Sequence, residues 1–70
     1  MAGKPVPVSA TDGYSHIMVW TDWSGEAMVS YRTATSTVSV WLVYAPRQLR
    51  RHIHTELAEP ARAREGQDRA

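Results

Sequence analysis

Four basic side chains follow Pro46 at helical spacing. At about 100° per residue they fall on one side of a helix, and they are Arg47, Arg50, Arg51 and His54. A guanidinium group can fork onto two oxygens, so such a face can bind nucleic-acid phosphates or the acidic side chains of a protein. A solvated face without a ligand explains the pattern equally well, and Glu56 and Glu59 on the opposite flank weaken a pure phosphate interpretation. Arg32 is a further candidate for the same kind of contact.

The three histidines raise the question of a metal site. His52 and His54 project to opposite sides of a helix and cannot share an ion, whereas His52 and Glu56 stand at i and i+4 and can. Zinc needs three or four ligands, and local spacing does not bring His16 or Glu59 to this pair. A surface ion pair is the better interpretation, so we expect no metal and no cofactor.

The chain carries none of the common catalytic motifs. It has no G-x-S-x-G elbow, no phosphate-binding loop, no H-E-x-x-H sequence and no clear pair of carboxylates. A chain of 70 residues is also too small to enclose a pocket easily. We therefore expect a protein that is not an enzyme.

Tryptophan and tyrosine supply all of the aromatic side chains, because the chain has no phenylalanine. These residue types dominate interface hot spots, and they can also stack unpaired bases or simply fill a core. We expect core or dimer contacts at four positions, namely Trp20, Tyr31, Trp41 and Val43. Trp23, at a turn, is expected to be exposed and available to a partner.

Three strands are predicted to hold these aromatic residues in place. β-Branched and aromatic residues are concentrated at 14–21, 26–32 and 37–44, with a hairpin loop at 22–25. In that loop Asp22 can start the turn through its side chain and Gly25 can take the left-handed conformation.

Both faces of the first and third predicted strands are apolar. The first strand alternates between two sets, Tyr14–His16–Met18–Trp20 and Ser15–Ile17–Val19–Thr21. The third alternates between Val38–Val40–Leu42–Tyr44 and Thr37–Ser39–Trp41–Val43. A sheet with two apolar faces needs two covers, and the chain offers one helix.

That helix is predicted to begin at Pro46 and to end before Pro60. Leu49, Ile53 and Leu57 recur every four residues and form its apolar stripe. The expected fold is α+β: a three-stranded antiparallel meander followed by one helix, β-β-β-α, over residues 14–59. An extended arm over 1–13 precedes it, and a charged tail over 60–70 follows it.

Size and composition favour association. A domain this small is marginal alone, and without cysteines it has no disulfides to stabilise it. The net charge of +1 gives no global attraction to nucleic acid. We see no signal peptide and no membrane span, so we expect a cytoplasmic protein with no membrane contact. Arginine far outnumbers lysine, which indicates a GC-rich bacterial or viral genome.

The leading hypothesis is a small non-enzymatic accessory protein that acts by protein–protein contact. It would be a homodimer, joined through the uncovered sheet face or a sheet edge, and would regulate or inhibit a larger, unidentified protein, as phage or mobile-element inhibitors do. The first alternative is a nucleic-acid-binding protein that uses the arginine face of the helix. The second is a structural subunit of a larger assembly.

Overall fold

The computed structural model describes residues 4–57, which form one antiparallel sheet and one helix. The strands are β1 (Val6–Val8), β2 (Ser15–Thr21), β3 (Ala27–Arg32) and β4 (Thr37–Trp41), and their order in the sheet is their order in the chain. A 3₁₀ turn, Leu42–Tyr44, leads to helix α1 over 47–57. The α+β class with a C-terminal helix is confirmed, but the sheet has four strands instead of the three expected.

The additional strand comes from the segment expected to be an extended arm. Val6 and Val8 of β1 pair with Val19 and Ile17 of β2. The turn at 12–13 brings the two strands together, because Thr11 and Tyr14 exchange two backbone hydrogen bonds of 3.0 Å and Gly13 takes a φ of 89°. The interpretation of this segment as an unpaired arm is therefore wrong for residues 6–8.

A β-bulge in β2 changes which residues share a face. One extra residue lies between Ser15 and Met18 relative to β3, and His16 has a φ of 51° there. Tyr14 consequently packs against the core, with its ring centroid 5.4 Å from that of Tyr31 in an edge-on contact. The alternation that put Tyr14 on the same face as Met18 is wrong, because it counted through the bulge.

The core lies between one face of the sheet and α1. Its buried members are Val8, Ile17, Val19, Val29, Tyr31, Ala45, Leu49 and Ile53. Leu49 and Ile53 are both 0 % exposed, which confirms the apolar stripe of the helix in its first two positions. Leu57 is 38 % exposed and lies at the margin of the packed surface.

The last strand is shorter than expected. It ends at Trp41, and the 3₁₀ turn closes with a 3.1 Å hydrogen bond from Ala45 N–H to the Leu42 carbonyl. The Pro46 carbonyl then accepts the first helical bond, from Arg50 N–H at 3.0 Å. The turn redirects the chain so that α1 can cross the sheet, and the extended conformation expected up to Tyr44 is wrong for these three residues. The expected helix end and the charged tail lie beyond the described residues.

Candidate protein-binding surface

The sheet face opposite α1, here called the open face, carries a row of large side chains. Register places Trp20 beside Met28 and Met28 beside Trp41, so one residue from each of β2, β3 and β4 forms the row. Trp20 and Met28 are half-buried and Trp41 is 48 % exposed. Next to it lies a second row made of Pro7, Met18, Ser30 and Ser39. The face therefore combines two aromatic residues and two thioethers with small polar side chains.

The loop between β2 and β3 fixes one end of the open face. One Asp22 carboxylate oxygen accepts hydrogen bonds from Ser24 N–H at 2.9 Å, the Ser24 hydroxyl at 2.7 Å and Glu26 N–H at 2.9 Å. The other accepts from the Trp41 indole N–H at 3.3 Å. Gly25 closes the loop with a φ of 88°. The expected roles of Asp22 and Gly25 are confirmed, and Asp22 additionally positions Trp41.

These contacts also act on the acidity of Asp22. The side-chain hydrogen bond from Ser24, with further bonds from Glu26 N–H, Trp41 and Ser24 N–H, lowers the pKa of the Asp22 carboxyl below its usual value, and desolvation opposes the shift only in part. Asp22 is therefore a stable anion at neutral pH.

The 3₁₀ turn extends the open face past the end of β4. Tyr44 is 74 % exposed and Val43 is 64 % exposed, and the Tyr44 ring lies 6.1 Å from that of Trp41, edge-on. We call Trp41, Val43 and Tyr44 the aromatic corner. The aromatic corner lines a shallow groove together with Asp22 and Glu26, so carboxylates border its apolar surface.

The four residues expected to make core or dimer contacts lie in different environments. Tyr31 is buried in the core, with 7 % of its surface exposed. Trp20 is half-buried on the open face, and Trp41 and Val43 belong to the exposed aromatic corner. Trp23 is 84 % exposed at the tip of the loop, which confirms its expected exposure.

The arginine face of α1 is narrower than expected. Arg47, Arg51 and His54 are exposed, and Arg47 and Arg51 line a shallow groove with Gln48. Arg50 differs, because it is half-buried and its Nη1 lies 3.5 Å from the carbonyl oxygen of Val43. Its Nε is buried without a partner among the described residues. Arg50 is therefore directed toward the segment that leads into α1, and it contributes less to an exposed basic surface than Arg47 and Arg51 do.

Arg32 is exposed, and it lies far along the sheet from the segment that leads into α1. It pairs with Thr37 at the end of β3 next to the 33–36 turn. The chain enters the helix from the other end of β4, at Trp41. Arg32 therefore lies at the end of the sheet opposite the segment that leads into α1.

A Ser–His–Glu cluster joins α1 to the residue that follows β1. His52 Nε2 donates to the Ser9 carbonyl oxygen at 2.7 Å and lies 3.7 Å from Glu56 Oε1, and the Ser9 hydroxyl bonds to Glu56. The expected pairing of His52 with Glu56 is confirmed. Since a carbonyl can only accept, Nε2 carries its proton and is not free to act as a base toward the Ser9 hydroxyl, 3.5 Å away. The cluster is suited to holding the helix in place. Its Ser9 member was missed, because local spacing links only His52 and Glu56.

Two further observations concern residues 4–57 as a whole. No three histidine or carboxylate side chains in this segment lie close enough together to hold a metal ion. The helix in the same segment is too short and too polar to cross a membrane.

Comparisons with known proteins give no relative for this chain: no family model matches it, and neither a curated protein nor a solved structure is detectably similar.

Proposed function

We propose that this protein is a small, cytoplasmic, non-enzymatic accessory protein that binds a larger protein through its open face and regulates or inhibits it. The observation that carries the proposal is the row formed by Trp20, Met28 and Trp41 on the face that α1 does not cover. Aromatic residues and methionine are enriched in protein interfaces, and they tend to supply most of the binding energy. Ser30 and Ser39 in the neighbouring row leave the face polar enough to remain exposed before binding.

Charge favours a protein over a nucleic acid at this surface. Asp22 and Glu26 border the aromatic corner, and the hydrogen bonds that Asp22 accepts lower its pKa and so favour its charged form. Carboxylates at the rim repel phosphates, whereas they attract the lysine or arginine side chains of a protein. The partner surface that fits best is apolar at its centre and basic on one side.

The test is a capture experiment with the immobilised full chain and a lysate of the source cells. Met28→Lys places a charge in the middle of the row, on a strand whose buried neighbour Val29 stays unchanged. The double variant Arg47→Glu/Arg51→Glu is the matched control on the other surface. We expect the parent and the arginine variant to retain the same protein and Met28→Lys to lose it. Equal capture by Met28→Lys would contradict the proposal.

Nucleic-acid binding is the second candidate, favoured by the exposed pair Arg47 and Arg51 on one groove of α1. It predicts that single- or double-stranded DNA oligonucleotides bind the parent with a steep dependence on salt. The affinity should fall in Arg47→Glu/Arg51→Glu and persist in Met28→Lys. Weak binding that is the same for the parent and both variants would remove this candidate.

The structural-subunit hypothesis depended on order at both chain ends, where residues 1–3 and 58–70 lie outside the described segment. The capture experiment tests this hypothesis too. If the chain is a subunit of an assembly, the immobilised chain should retain several proteins in stoichiometric amounts.

A further inference from the structure

The two edges of the sheet differ in how well they resist pairing. Pro5 immediately precedes the edge strand β1 and Pro7 lies within it. Proline has no N–H group that could bond to an incoming strand. The other edge, β4, has the sequence TVSVW, with no proline and no charged side chain. Natural sheets usually protect their edges with such residues, so within residues 4–57 β4 is the edge that lacks this protection.

The register shows which backbone groups of β4 point outward. Thr33 N–H donates to the Ser36 carbonyl across the turn at 2.8 Å, so the bonded pairs with β3 continue at Val38 and Val40. The alternation then directs the N–H and C=O groups of Thr37, Ser39 and Trp41 away from β3. Among the described residues, β3 is the sole strand beside β4.

We propose that β4 pairs antiparallel with β4 of a second copy, about a two-fold axis that passes through Ser39. In this register Ser39 faces the second Ser39, and Thr37 faces the second Trp41. All three outward residues then exchange hydrogen bonds, about six in total across the axis. The two four-stranded sheets become one continuous sheet.

The side chains of β4 suit this two-fold pairing. Val38 stands opposite the second Val40 at the closely spaced positions, and both are half-buried on the helix side next to the core. Serine faces serine at the centre of the open face, without bulk or charge. The remaining pair sets Thr37 beside the second Trp41, so no pair opposes like charges, and each contact is repeated by the two-fold axis.

The pairing also enlarges the proposed binding surface, although it does not depend on the proposed function. The open faces of the two copies become neighbours on one sheet, with a Trp20–Met28–Trp41 row from each copy. A partner would then meet two rows together.

Cysteine cross-linking tests the register directly, because the chain has no cysteine of its own. Ser39→Cys places two thiols on residues whose Cα atoms are about 5.5 Å apart in the proposed dimer, within the range for a disulfide. Ser30→Cys is the matched control, since Ser30 pairs with Ser39 on the same face but lies about 14 Å, three strand spacings, from its copy. We expect a covalent dimer from Ser39→Cys under mild oxidation and none from Ser30→Cys at the same concentration.

Solution mass provides the second measurement. Ser39→Pro removes an outward N–H and leaves the bonds to β3 in place, and Ser39→Lys sets two like charges opposite each other. Ala34→Lys adds the same charge in the exposed turn and is the control. Light scattering over micromolar concentrations should give twice the chain mass for the parent and Ala34→Lys, and one chain mass for both Ser39 variants. If Ser39→Pro fails to fold, Ser39→Lys decides.

Three outcomes would overturn the proposal. The first is a parent protein whose solution mass equals that of one chain, and the second is a Ser39→Lys variant that remains a dimer. The third is cross-linking of Ser30→Cys as readily as Ser39→Cys, which would indicate that two copies pack through their open faces. Its failure is distinguishable from failure of the proposed function. A monomeric parent that still loses its captured protein in Met28→Lys leaves that function standing, and a Ser39-linked dimer that captures nothing contradicts the function alone.

Discussion

The two faces of the sheet are built from different kinds of side chain. The covered face presents Ile17, Val19 and Val29 to Leu49 and Ile53 of α1, and four of these five side chains are no more than 1 % exposed. The open face presents tryptophan, methionine and serine at the same strands. Branched aliphatic residues pack in few conformations and favour one permanent partner, whereas methionine adapts and tryptophan keeps a polar group for exposed surfaces.

This contrast shows that an apolar pattern alone does not define a core. Apolar side chains occupy both faces of the sheet, but within residues 4–57 only one face packs against a helix. On the covered face the loss of a side chain should therefore reduce folding free energy, and on the open face it should reduce binding. The predictions below test that division.

The largest effect is expected at the centre of the covered face. Ile53→Ala should reduce the free energy of unfolding by about 2–5 kcal/mol, because Ile53 is fully buried and its truncation leaves a cavity in the core. Denaturant unfolding followed by tryptophan fluorescence measures the loss. Leu57→Ala is the control and should cost clearly less, since Leu57 is 38 % exposed. Equal losses would mean that the helix does not pack through Ile53.

The next largest effect on stability is expected at the β-bulge, which places Tyr14 on the covered face. His16 holds a φ of 51°, which a β-branched residue tolerates poorly. We expect His16→Val to destabilise the fold by about 1–2 kcal/mol and His16→Gly to be neutral or slightly stabilising. Both variants remove the same imidazole, so a difference between their unfolding midpoints isolates the backbone. Matching midpoints would show that the bulge is unstrained.

The Asp22 loop, which positions Trp41 on the open face, should give a smaller, pH-dependent effect. Folding lowers the pKa of Asp22, so its stabilisation is full above the unfolded pKa and is lost as the pH falls through the folded pKa. Asp22→Asn should thus be less stable than the parent at pH 7, and the difference should shrink below about pH 4. Thermal unfolding from pH 7 to pH 2 checks this, with Asp12→Asn as the control. A pH-independent difference would assign the effect to loop geometry instead of charge.

The smallest effect on stability is expected in the middle of the open face. Met28→Ser should change the free energy of unfolding by no more than about 1 kcal/mol, because Met28 has no cover from α1. Val29→Ser, one residue further and on the covered face, should cost several times more, since Val29 is 0 % exposed. The comparison is made by chemical denaturation at concentrations low enough to keep the protein monomeric. Similar losses would contradict the distinction between the two faces.

Local patterns in the sequence accounted for the elements whose signals are short-range. The strands around Ile17, Val29 and Val38 follow from β-branched and aromatic residues, and the helix follows from proline and the four-residue spacing of Leu49 and Ile53. The 22–26 loop follows from an aspartate that can bond its own backbone. The signal for β1 was also present, in alternating valines followed by Asp-Gly, but Pro5 and Pro7 lack backbone N–H groups and are equally typical of an unpaired extended segment.

The candidate surface was only partly predictable. The sequence indicated an apolar face in excess of what one helix covers, and the exposure of Trp23. It could not assign Tyr14, because a single bulged residue reverses every assignment on one side of it. Nor could it show that Arg50 is less exposed than Arg47 and Arg51. Arg50 approaches the Val43 carbonyl, and Val43 lies in a 3₁₀ turn where the sequence predicted a strand.

The sequence by itself determined the types of β2, β3, β4 and α1, because hydrophobic period, turn chemistry and proline position act within a few residues of one another. Only the tertiary structure decided which face α1 covers and which edge is left open. Those choices depend on strand register and on the path of the chain between Trp41 and Pro46, which are set by contacts between residues far apart in the sequence. Which side chains form the open face, and which backbone groups of β4 point away from β3, follow only once that register is fixed.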